Sequence, residues 1–358
     1  MVATRNRRTV LVALSIGFLL GAVSMRVYSS LNLKLRERIR LYREYRPPCV
    51  RLDCASVASS PIRRFEAATA VVGDRLYLFG GFETRGLRAT TRSDRYDPAT
   101  DSWTRIADLP APVTHAGIAV DGTFVWVVGG FVGDNPGTAT DSVWRYDSVN
   151  DRWEPGPSLP EPRASAPLVR HRRSLHFFGG LRSDRTTDSG DHWRLDLDSP
   201  SAWEPRAALP EPRNHAAGIE LDGTIYMIGG QHGHDGVFED VASVHAYDPA
   251  SDSWRERAPL AYGRSHFEPG TFSANGKIVI VGGRANARLV VYDVTAYDPI
   301  ADKWKDLVPM DVPARAPTAA LVGDRVLIGL GGLLPSGVDP RAELDACTLE
   351  EIGLVGSE

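Results

Sequence analysis

The sequence predicts an all-β fold, a six-bladed β-propeller, that follows an N-terminal hydrophobic helix. Three observations lead to this prediction. Glycine doublets recur about every 50 residues, each doublet ends a short apolar run, and a Tyr-Asp pair and a tryptophan follow most doublets. Repeats of this length that contain several short strands are typical of radially arranged sheets. With 42% hydrophobic and 24% charged residues, the 358-residue chain has the composition of an ordinary globular protein.

The N-terminal segment reads as a targeting or anchoring signal. Three arginines precede an uncharged run at 9–25, so we expect residues 1–25 to be a signal-anchor or a signal peptide. Residues 26–48 form a predicted basic juxtamembrane helix with an apolar stripe, which favours an uncleaved, single-pass membrane anchor. The alternative is cleavage of the signal and secretion of the remainder.

The charge of the chain is unevenly distributed. Residues 1–46 hold ten basic and two acidic residues, so the net charge of −4 leaves −12 for the rest of the chain. An acidic body argues against nucleic acid as a partner. The basic segment after the apolar run would keep the following domain cytoplasmic, whereas signal cleavage would export it, so the side of the membrane stays open.

Each repeat begins with a hairpin that ends at a glycine doublet. In HAAGIELDGTIYMIGG, for example, two apolar strands flank an Asp-Gly turn. The doublets open at Gly80, Gly129, Gly179, Gly229, Gly282 and Gly331.

A third strand in each repeat ends in Tyr-Asp, and a tryptophan follows seven residues beyond the tyrosine. The tyrosines are Tyr96, Tyr146, Tyr247 and Tyr297, with Leu195 in the third repeat. Together with the doublets, this pattern resembles the kelch repeat, in five clear copies and one degenerate copy over residues 49–358. The resemblance implies a six-bladed kelch-type propeller whose tyrosines and tryptophans fill the space between blades.

The start of this domain is expected to close the ring. The segment VRLDCASV takes the place of an outer strand in the last blade, whose third strand is ELDACTL. Such a closing strand removes an exposed sheet edge. It also brings Cys54 near Cys347, so that a disulfide would form in an oxidising compartment. Cys49 is the rival partner, and one of the three cysteines stays free.

Two sets of polar residues recur at fixed positions on the face where the first strands begin. Sixteen residues before most doublets stands an arginine, and five such arginines around the axis would make a positive mouth suited to an anionic ligand. Pairing with local acids such as Glu161 and Glu211, or with strand-end carbonyls, is the other interpretation. The arginine positions are Arg64, Val113, Arg163, Arg213, Arg264 and Arg315, and two residues later stand Glu66, His115, Ser165, His215, His266 and Pro317.

The candidate binding site lies around the fourth and fifth blades, where titratable residues are densest. The loop after the fourth doublet adds two histidines and an aspartate, and the fifth loop adds an arginine. The predicted binding residues are Arg163, Arg213, His215, His232, His234, Asp235, Arg264, His266 and Arg284. His-x-His-Asp is a weak metal pattern, and no metal, cofactor or catalytic residue is assigned.

We expect a membrane-associated binding module for a protein or carbohydrate-like ligand. The cysteine-crosslinked tyrosine of copper oxidases built on this fold is excluded, because no cysteine lies between residues 55 and 346. Nucleophile-elbow, phosphate-loop and metalloprotease motifs are also missing from the sequence. The alternative is a carbohydrate-active enzyme, similar in architecture to exported kelch-type sugar mutarotases, in which histidines act as acid and base and arginines bind the anionic group.

Overall fold

The computed structural model describes residues 52–285, 289–333 and 338–355. The chain divides into two compact units, Met1–Pro48 and Cys49–Glu358. The predicted signal segment 1–25, the basic segment 26–48 and Cys49 all lie outside the described residues. Within the described ranges, no helix has the length and apolar character needed to cross a membrane.

Six antiparallel sheets of four strands make up the described unit. Within a sheet the strands lie side by side in chain order, and the first strand forms one edge. Sheet 1 consists of Ala68–Val72, Arg75–Phe79, Ser93–Asp97 and Ser102–Ile106. Sheet 2 consists of Gly117–Asp121, Phe124–Val128, Val143–Asp147 and Arg152–Pro155. Sheet 3 consists of Leu168–His171, Ser174–Phe178, His192–Asp196 and Glu204–Pro205. Sheets 4 and 5 consist of Ala217–Leu221, Thr224–Ile228, Val244–Asp248 and Ser253–Arg257; and Thr271–Ala274, Lys277–Val281, Val294–Asp298 and Lys303–Asp306.

Sheet 6 combines the two ends of the domain. Its strands are Thr318–Val322, Arg325–Gly329, Leu344–Cys347 and, from the start of the domain, Ala55–Val57. Ala55 lies opposite Ala346 in an antiparallel register. A disulfide joins Cys54 to Cys347, so the first and last strands of the domain are held together covalently as well.

The loops that follow the doublets, together with the residues just before two of the first strands, carry short additional strands. They form four small sheets among the described residues, near the starts of the first strands. Two of these sheets have three strands: Val113–Thr114, Phe131–Val132 and Thr138–Ala139 in one, and Arg264–Ser265, Arg284–Ala285 and Leu289–Val290 in the other. The other two have two strands: Gln231–His232 with Glu239–Asp240, and Gly332–Leu333 with Asp339–Pro340. We call the surface formed by these loops the doublet face. A single 3₁₀ turn, Glu268–Gly270, precedes the first strand of sheet 5.

The core lies between neighbouring sheets rather than at a single centre. One buried cluster joins Tyr77 and Phe79 of sheet 1 to Val125 and Val127 of sheet 2. Equivalent clusters join the other neighbours, including sheets 5 and 6 and sheets 6 and 1. The aliphatic and aromatic residues of the strands are therefore buried by sheet-on-sheet packing.

The conserved spacing of tyrosine and tryptophan in the repeats has a hydrogen-bonding basis. In sheet 2, Tyr146 donates to Asp151 at 2.7 Å, and the same carboxylate oxygen accepts from the backbone N–H of Ala107 at 2.7 Å. Trp153 Nε1 donates to the carbonyl of Ala107 at 3.0 Å. Both backbone groups of one alanine in the preceding sheet are thus satisfied by side chains of the next. The same bonds recur at Ala58, Ala207 and Ala258.

The third repeat departs from this arrangement in a consistent way. Trp203 still donates to a backbone carbonyl, that of Pro157, at 2.9 Å. Pro157 has no backbone N–H to donate, and Leu195 has no hydroxyl. An aspartate in this sheet would therefore lack both of the donors that it has in the other sheets. The absence of the tyrosine and the presence of the proline therefore go together, because each removes one donor to the same aspartate.

The glycine doublets link each sheet to the next. Gly230 N–H donates to the carbonyl of Arg264 at 2.8 Å, and a Cβ on Gly230 would lie 2.6 Å from the carbonyl oxygen of Asn214. Its φ of +108° is also one that only glycine adopts readily. Gly331 N–H makes the equivalent bond to the carbonyl of Arg64 in sheet 1, at 3.2 Å.

That bond corrects the alignment of the sixth repeat. Since Gly331 occupies the second doublet position, the first is Leu330, with a φ of +51°, one residue earlier than predicted. The arginine position of sheet 6 is therefore Ala314, whose carbonyl accepts from Gly283 N–H at 2.8 Å. Arg315 and Ala316 follow it, and the assignments of Arg315 and Pro317 were each wrong by one residue, because Leu330 rather than a glycine occupies the first doublet position.

Candidate functional site

The recurrent arginines do not form a positive mouth. Arg64, Arg163, Arg213 and Arg264 are among the largest fully buried side chains, with at most 1% of their surface exposed. Arg213 donates to the carbonyls of Gly229 at 2.7 Å and Glu211 at 3.0 Å. Burial lowers the pKa of Arg213 to about 10. The expectation of a charged mouth was wrong, because the side chains turn into the sheets.

The other buried arginines follow the same principle. Arg264 donates to the carbonyls of Gly282 and Asp293, each at 2.7 Å. Arg163 pairs with Glu161 at 3.2 Å and Asp191 at 2.9 Å. The interpretation in which these side chains satisfy local acids and strand-end carbonyls is confirmed, and they serve the scaffold.

Three residues predicted on the fourth and fifth doublet loops each pair with a different side chain of the protein itself. His232 Nε2–H donates to Glu211, 3.1 Å away. Asp235 is held by Arg185 at 2.7 Å. Arg284, which is buried, pairs with Asp240 at 2.6 Å. These contacts connect neighbouring loops to one another, and they do not converge on one cavity.

Six residues, each two to five positions before the first strand of a sheet, form a belt. One comes from each sheet, and all have a left-handed backbone with φ between 48° and 56°. Backbone N–H groups join successive members: Ser165 to the carbonyl of His115 at 2.9 Å, His215 to Ser165 at 3.0 Å, and Ala316 to His266 at 2.7 Å. The members of this axial belt are Glu66, His115, Ser165, His215, His266 and Ala316.

A left-handed backbone costs a non-glycine residue about 1–2 kcal/mol. Glycine would adopt it freely, yet none of the six belt positions carries glycine. Residues held in such conformations cluster at functional sites, so the side chains of the belt are candidates for function.

Four belt side chains make close contact with one another. Glu66 lies 2.8 Å from Nε2 of His115 and accepts from Arg315 at 2.8 Å. The rings of His215 and His266 stack with their centroids 4.0 Å apart. His234, from the fourth doublet loop, stacks on the other side of His215 at 5.2 Å. The structure thus brings together three of the nine predicted residues, His215, His234 and His266.

The charges of this cluster are strongly biased by its surroundings. Burial alone would raise the pKa of Glu66, but His115 and Arg315 outweigh it and lower that pKa to about 2. Burial, with a smaller contribution from nearby cations, holds the pKa values of His215 and His266 well below the ordinary range. Burial also lowers the pKa of His234 to about 4. At neutral pH the carboxylate of Glu66 therefore stands near the neutral imidazoles of His215, His266 and His234.

The belt forms one end of a cavity of about 580 Å³ that runs along the first strands. Its walls are mainly small and aliphatic, whereas the belt end is polar. No doublet-loop residue lines it, so the cavity extends away from the doublet face, towards Arg170 and Glu220 near the far ends of the strands. The wall residues include Val71, Ile118, Leu168, Ile219, Phe272 and Leu321.

Sequence reasoning missed Glu268 as a cavity residue. The doublet of the fifth repeat opens eighteen rather than sixteen residues after its arginine, and the 3₁₀ turn Glu268–Gly270 lies in this longer segment. This turn places Glu268 in the cavity lining. Burial, and then the neighbouring Glu66, raise the pKa of Glu268 to about 7. The irregular spacing was the available signal.

Comparison with known proteins agrees with the repeat pattern. The family description "KLHDC2/KLHL20/DRC7 Kelch-repeats domain" matches residues 154–332, and the kelch motif matches residues 63–110 and 112–160. Kelch-like protein 35 of Mus musculus is 27% identical over 229 residues, which are 64% of this chain and 28% of that protein. Kelch-like protein terF of Aspergillus terreus is 36% identical over 69 residues, 18% of this chain and 15% of that protein.

The chain therefore spans less than a third of the length of these two relatives. A solved structure, that of YjhT, superposes with a TM-score of 0.68 at 15% identity, and covers 82% of this chain and 97% of that chain. This similarity concerns the fold. These matches cover the residues that carry the recurrent doublets, the Tyr-Asp pairs and the four-stranded sheets. The chain belongs to the kelch-repeat family of β-propeller proteins.

Proposed function

We propose that this kelch-repeat protein is a binding module whose axial cavity receives an apolar segment of a partner protein. The six sheets would be the blades of a closed six-bladed ring around that cavity. The pairing of Ala55–Val57 with Leu344–Cys347 and the bond from Gly331 to Arg64 support this closure. Kelch-repeat proteins commonly bind proteins, which favours a protein as the occupant.

The observation that carries the proposal is the cavity itself. Its volume of about 580 Å³ lies in the range of binding pockets, which are mostly apolar with a few placed polar groups. Ile118 and Ile219 are only partly buried in its wall. Full burial of one apolar side chain of a partner there would contribute about 1.5–3 kcal/mol.

The doublet face is a weaker candidate because its charged side chains already have partners. Arg185 binds Asp235, and its guanidinium lies 4.1 Å from the Phe131 ring centroid. Arg284 binds Asp240. A ligand at these residues would first have to break contacts between loops.

The carbohydrate alternatives receive less support from this geometry. A sugar needs hydrogen-bonding groups along its length, whereas most wall residues between the belt and the far end of the cavity are small or aliphatic. The enzymatic alternative needed Arg213 and Arg264 beside the histidines, but both guanidinium groups are buried against carbonyls. We therefore place the protein-binding function first.

A peptide-display selection on the purified propeller tests the proposal. Peptides with an apolar anchor should be enriched on the wild type and lost on Ile118→Trp, which fills the cavity wall. The control is Val149→Trp, which adds the same ring at a turn residue that is 72% exposed. Selection of the same peptides on both variants would refute the cavity as the binding site.

A second perturbation avoids any effect on folding. In a Cys49→Ser background, Thr69→Cys places a thiol in the cavity lining, and a bulky thiol reagent is attached only after the protein has folded. Labelling should abolish peptide binding, and removal of the label should restore it. Binding that is unaffected by the label would contradict the proposal.

We further propose that residues 1–25 anchor the protein in a membrane with the propeller in an oxidising compartment. The disulfide between Cys54 and Cys347 supports the oxidising side, although the basic flank of the apolar run favours the opposite one. Protease treatment of intact cells decides between them: digestion of the propeller is expected, and full protection would refute this orientation.

A further inference from the structure

We propose that a divalent transition-metal cation binds at the axial belt, held by the carboxylate of Glu66 and the Nε2 atoms of His115, His215 and His266. One ligand atom from each of Glu66, His115 and His215 lies within 4.8 Å of the others. Nε2 of His266 lies 3.9 Å from Glu66 Oε1. Bonds of about 2.0–2.1 Å place neighbouring ligand atoms about 3.3 Å apart, so the widest separation, up to 4.8 Å, would have to close by about 1.5 Å. One of the stacked rings of His215 and His266 would also have to turn for both Nε2 lone pairs to meet the same cation.

The orientation of His266 is fixed by the residue before it. Ser265 Oγ donates its only proton to Asp240 at 2.6 Å, so it accepts from Nδ1–H of His266 at 2.8 Å. Nε2 of His266 therefore carries a lone pair and no proton. Metal-binding histidines are typically held in this way through the other ring nitrogen.

His215 is oriented by the same device. The amide nitrogen of Asn214 donates to Asp188 and to the carbonyl of Gly233. Its oxygen consequently faces His215 Nδ1, which must carry the proton. Nε2 of His215 then presents a lone pair, with only Ser165 Oγ near it at 3.4 Å.

His115 completes the pattern from the second sheet. Its Nδ1 lies 2.8 Å from Thr114 Oγ1, and its Nε2 lies 2.8 Å from Glu66 Oε2. A cation would take the place of the proton in this second contact, so binding would release it. Three histidines on three sheets thus share one arrangement, in which the preceding residue holds Nδ1 and Nε2 points to Glu66 or its neighbours.

An independent observation indicates that something is needed at this point. His266 has 1% of its surface exposed, and its Nε2 has no hydrogen-bond partner among the described residues. The lone pair there has no donor, and the carboxylate oxygen that it faces, Glu66 Oε1 at 3.9 Å, already accepts from Arg315. Buried polar atoms without partners are rare in native proteins, and a cation would satisfy this nitrogen.

The remaining contacts of Glu66 suit a ligating carboxylate. Arg315 donates to Oε1 at 2.8 Å, which leaves Oε2 for the metal and fixes the carboxylate plane. Three imidazoles and one carboxylate match the donor preferences of Zn²⁺, Fe²⁺ and their neighbours rather than those of Ca²⁺ or Mg²⁺. The belt also lines the axial cavity, so a fifth position would face it.

Titration of the metal-stripped full-length protein with Zn²⁺ or Co²⁺ tests this site. We expect one equivalent to bind, a rise in the melting temperature, and visible absorption of bound Co²⁺. His266→Asn should weaken binding at least tenfold, and Ser265→Ala, a positioning variant, by about 10- to 100-fold. His171→Asn, a histidine in the first strand of sheet 3 outside the belt, should bind like the wild type.

Three results would overturn the inference. One is the absence of binding to the folded wild type at millimolar metal. Another is binding that His266→Asn and Ser265→Ala leave unchanged while both variants remain folded by circular dichroism. The third is loss of binding in His232→Ala with full binding in His266→Asn, which would place the metal on the doublet loop. None of these results affects peptide binding in the cavity, so this inference fails separately from the proposed function.

Discussion

Arg213 offers the sharpest test of how the recurrent arginines act. Its side chain is fully buried, and it donates to four carbonyls, those of Gly229, Glu211, Met227 and Ser243, at distances of 2.7–3.4 Å. In Arg213→Met the volume is nearly kept, but these acceptors lose their donor. A buried acceptor without a partner costs about 1–3 kcal/mol. Because water and relaxation would recover part of that, we expect the free energy of unfolding to fall by about 3–5 kcal/mol.

Thermal unfolding followed by circular dichroism measures this change. An unfolding entropy of about 2.1 cal/mol/K per residue over about 300 residues gives roughly 0.6 kcal/mol per degree. The melting temperature of Arg213→Met should therefore drop by about 5–8 °C at a matched scan rate. The control is Arg105→Met, whose side chain is 61% exposed and pairs only with Asp108. It should leave the midpoint unchanged.

The opposite outcome would favour the hypothesis that the recurrent arginines form a positively charged binding surface. If Arg213→Met melts within about a degree of the wild type and instead loses binding of an anionic ligand, the guanidinium contacts solvent and ligand rather than carbonyls. A large drop in the melting temperature with unchanged peptide binding supports a structural role.

Three further predictions concern the scaffold. Asp151→Ala removes the acceptor shared by Tyr146 and Ala107 and should lower the free energy of unfolding by about 2–3 kcal/mol in urea denaturation, whereas Asp198→Ala, at an exposed turn, should not change it. Reduction of the disulfide between Cys54 and Cys347, or Cys54→Ser, should lower the free energy of unfolding by about 2–5 kcal/mol. The measurement is the loss of melting temperature on adding dithiothreitol. Equal melting temperatures of the reduced and oxidised protein would show that the disulfide is not formed. Burial lowers the pKa of His176 to about 3 and that of His192 to about 4. Because the unfolded chain binds these protons near pH 6.5 and the folded chain does not, the free energy of unfolding should fall by about 2 kcal/mol per histidine from pH 7 to pH 5. His176→Tyr/His192→Val, which introduces the residues that sheet 4 carries at these positions (Tyr226 and Val244), should flatten that slope, and an unchanged slope would contradict the assignment.

The repeat architecture could be predicted because its signals are local. A doublet, an Asp-Gly turn and a Tyr-Asp pair each specify a few bonds within one unit, and the period of about 50 residues multiplies the evidence. The pairing of Ala55–Val57 with the last strand followed from the same offsets. The register of the sixth unit was predicted wrongly because Leu330 takes a left-handed backbone that sequence patterns reserve for glycine.

The site was harder to predict for a different physical reason. A polar residue at the start of a strand can turn into the sheet, as Arg213 does, or towards the axis, as His215 does, and no local pattern distinguishes the two. Five of the six belt residues were predicted as one recurrent set. Their left-handed backbone was visible only in three dimensions, because histidine and glutamate do not indicate such a backbone as glycine does. Glu268 depended on a two-residue insertion whose conformation the spacing alone did not give.

The central claim is that the protein binds its partner through the axial cavity and not through the doublet face. Calorimetry with one peptide selected on the wild type tests it most directly, using Ile118→Trp in the cavity wall and Asp235→Ala on the doublet face. We predict that Ile118→Trp weakens binding at least tenfold, about 1.4 kcal/mol, and that Asp235→Ala binds like the wild type. Loss of binding in Asp235→Ala, with full binding in Ile118→Trp, would contradict the claim.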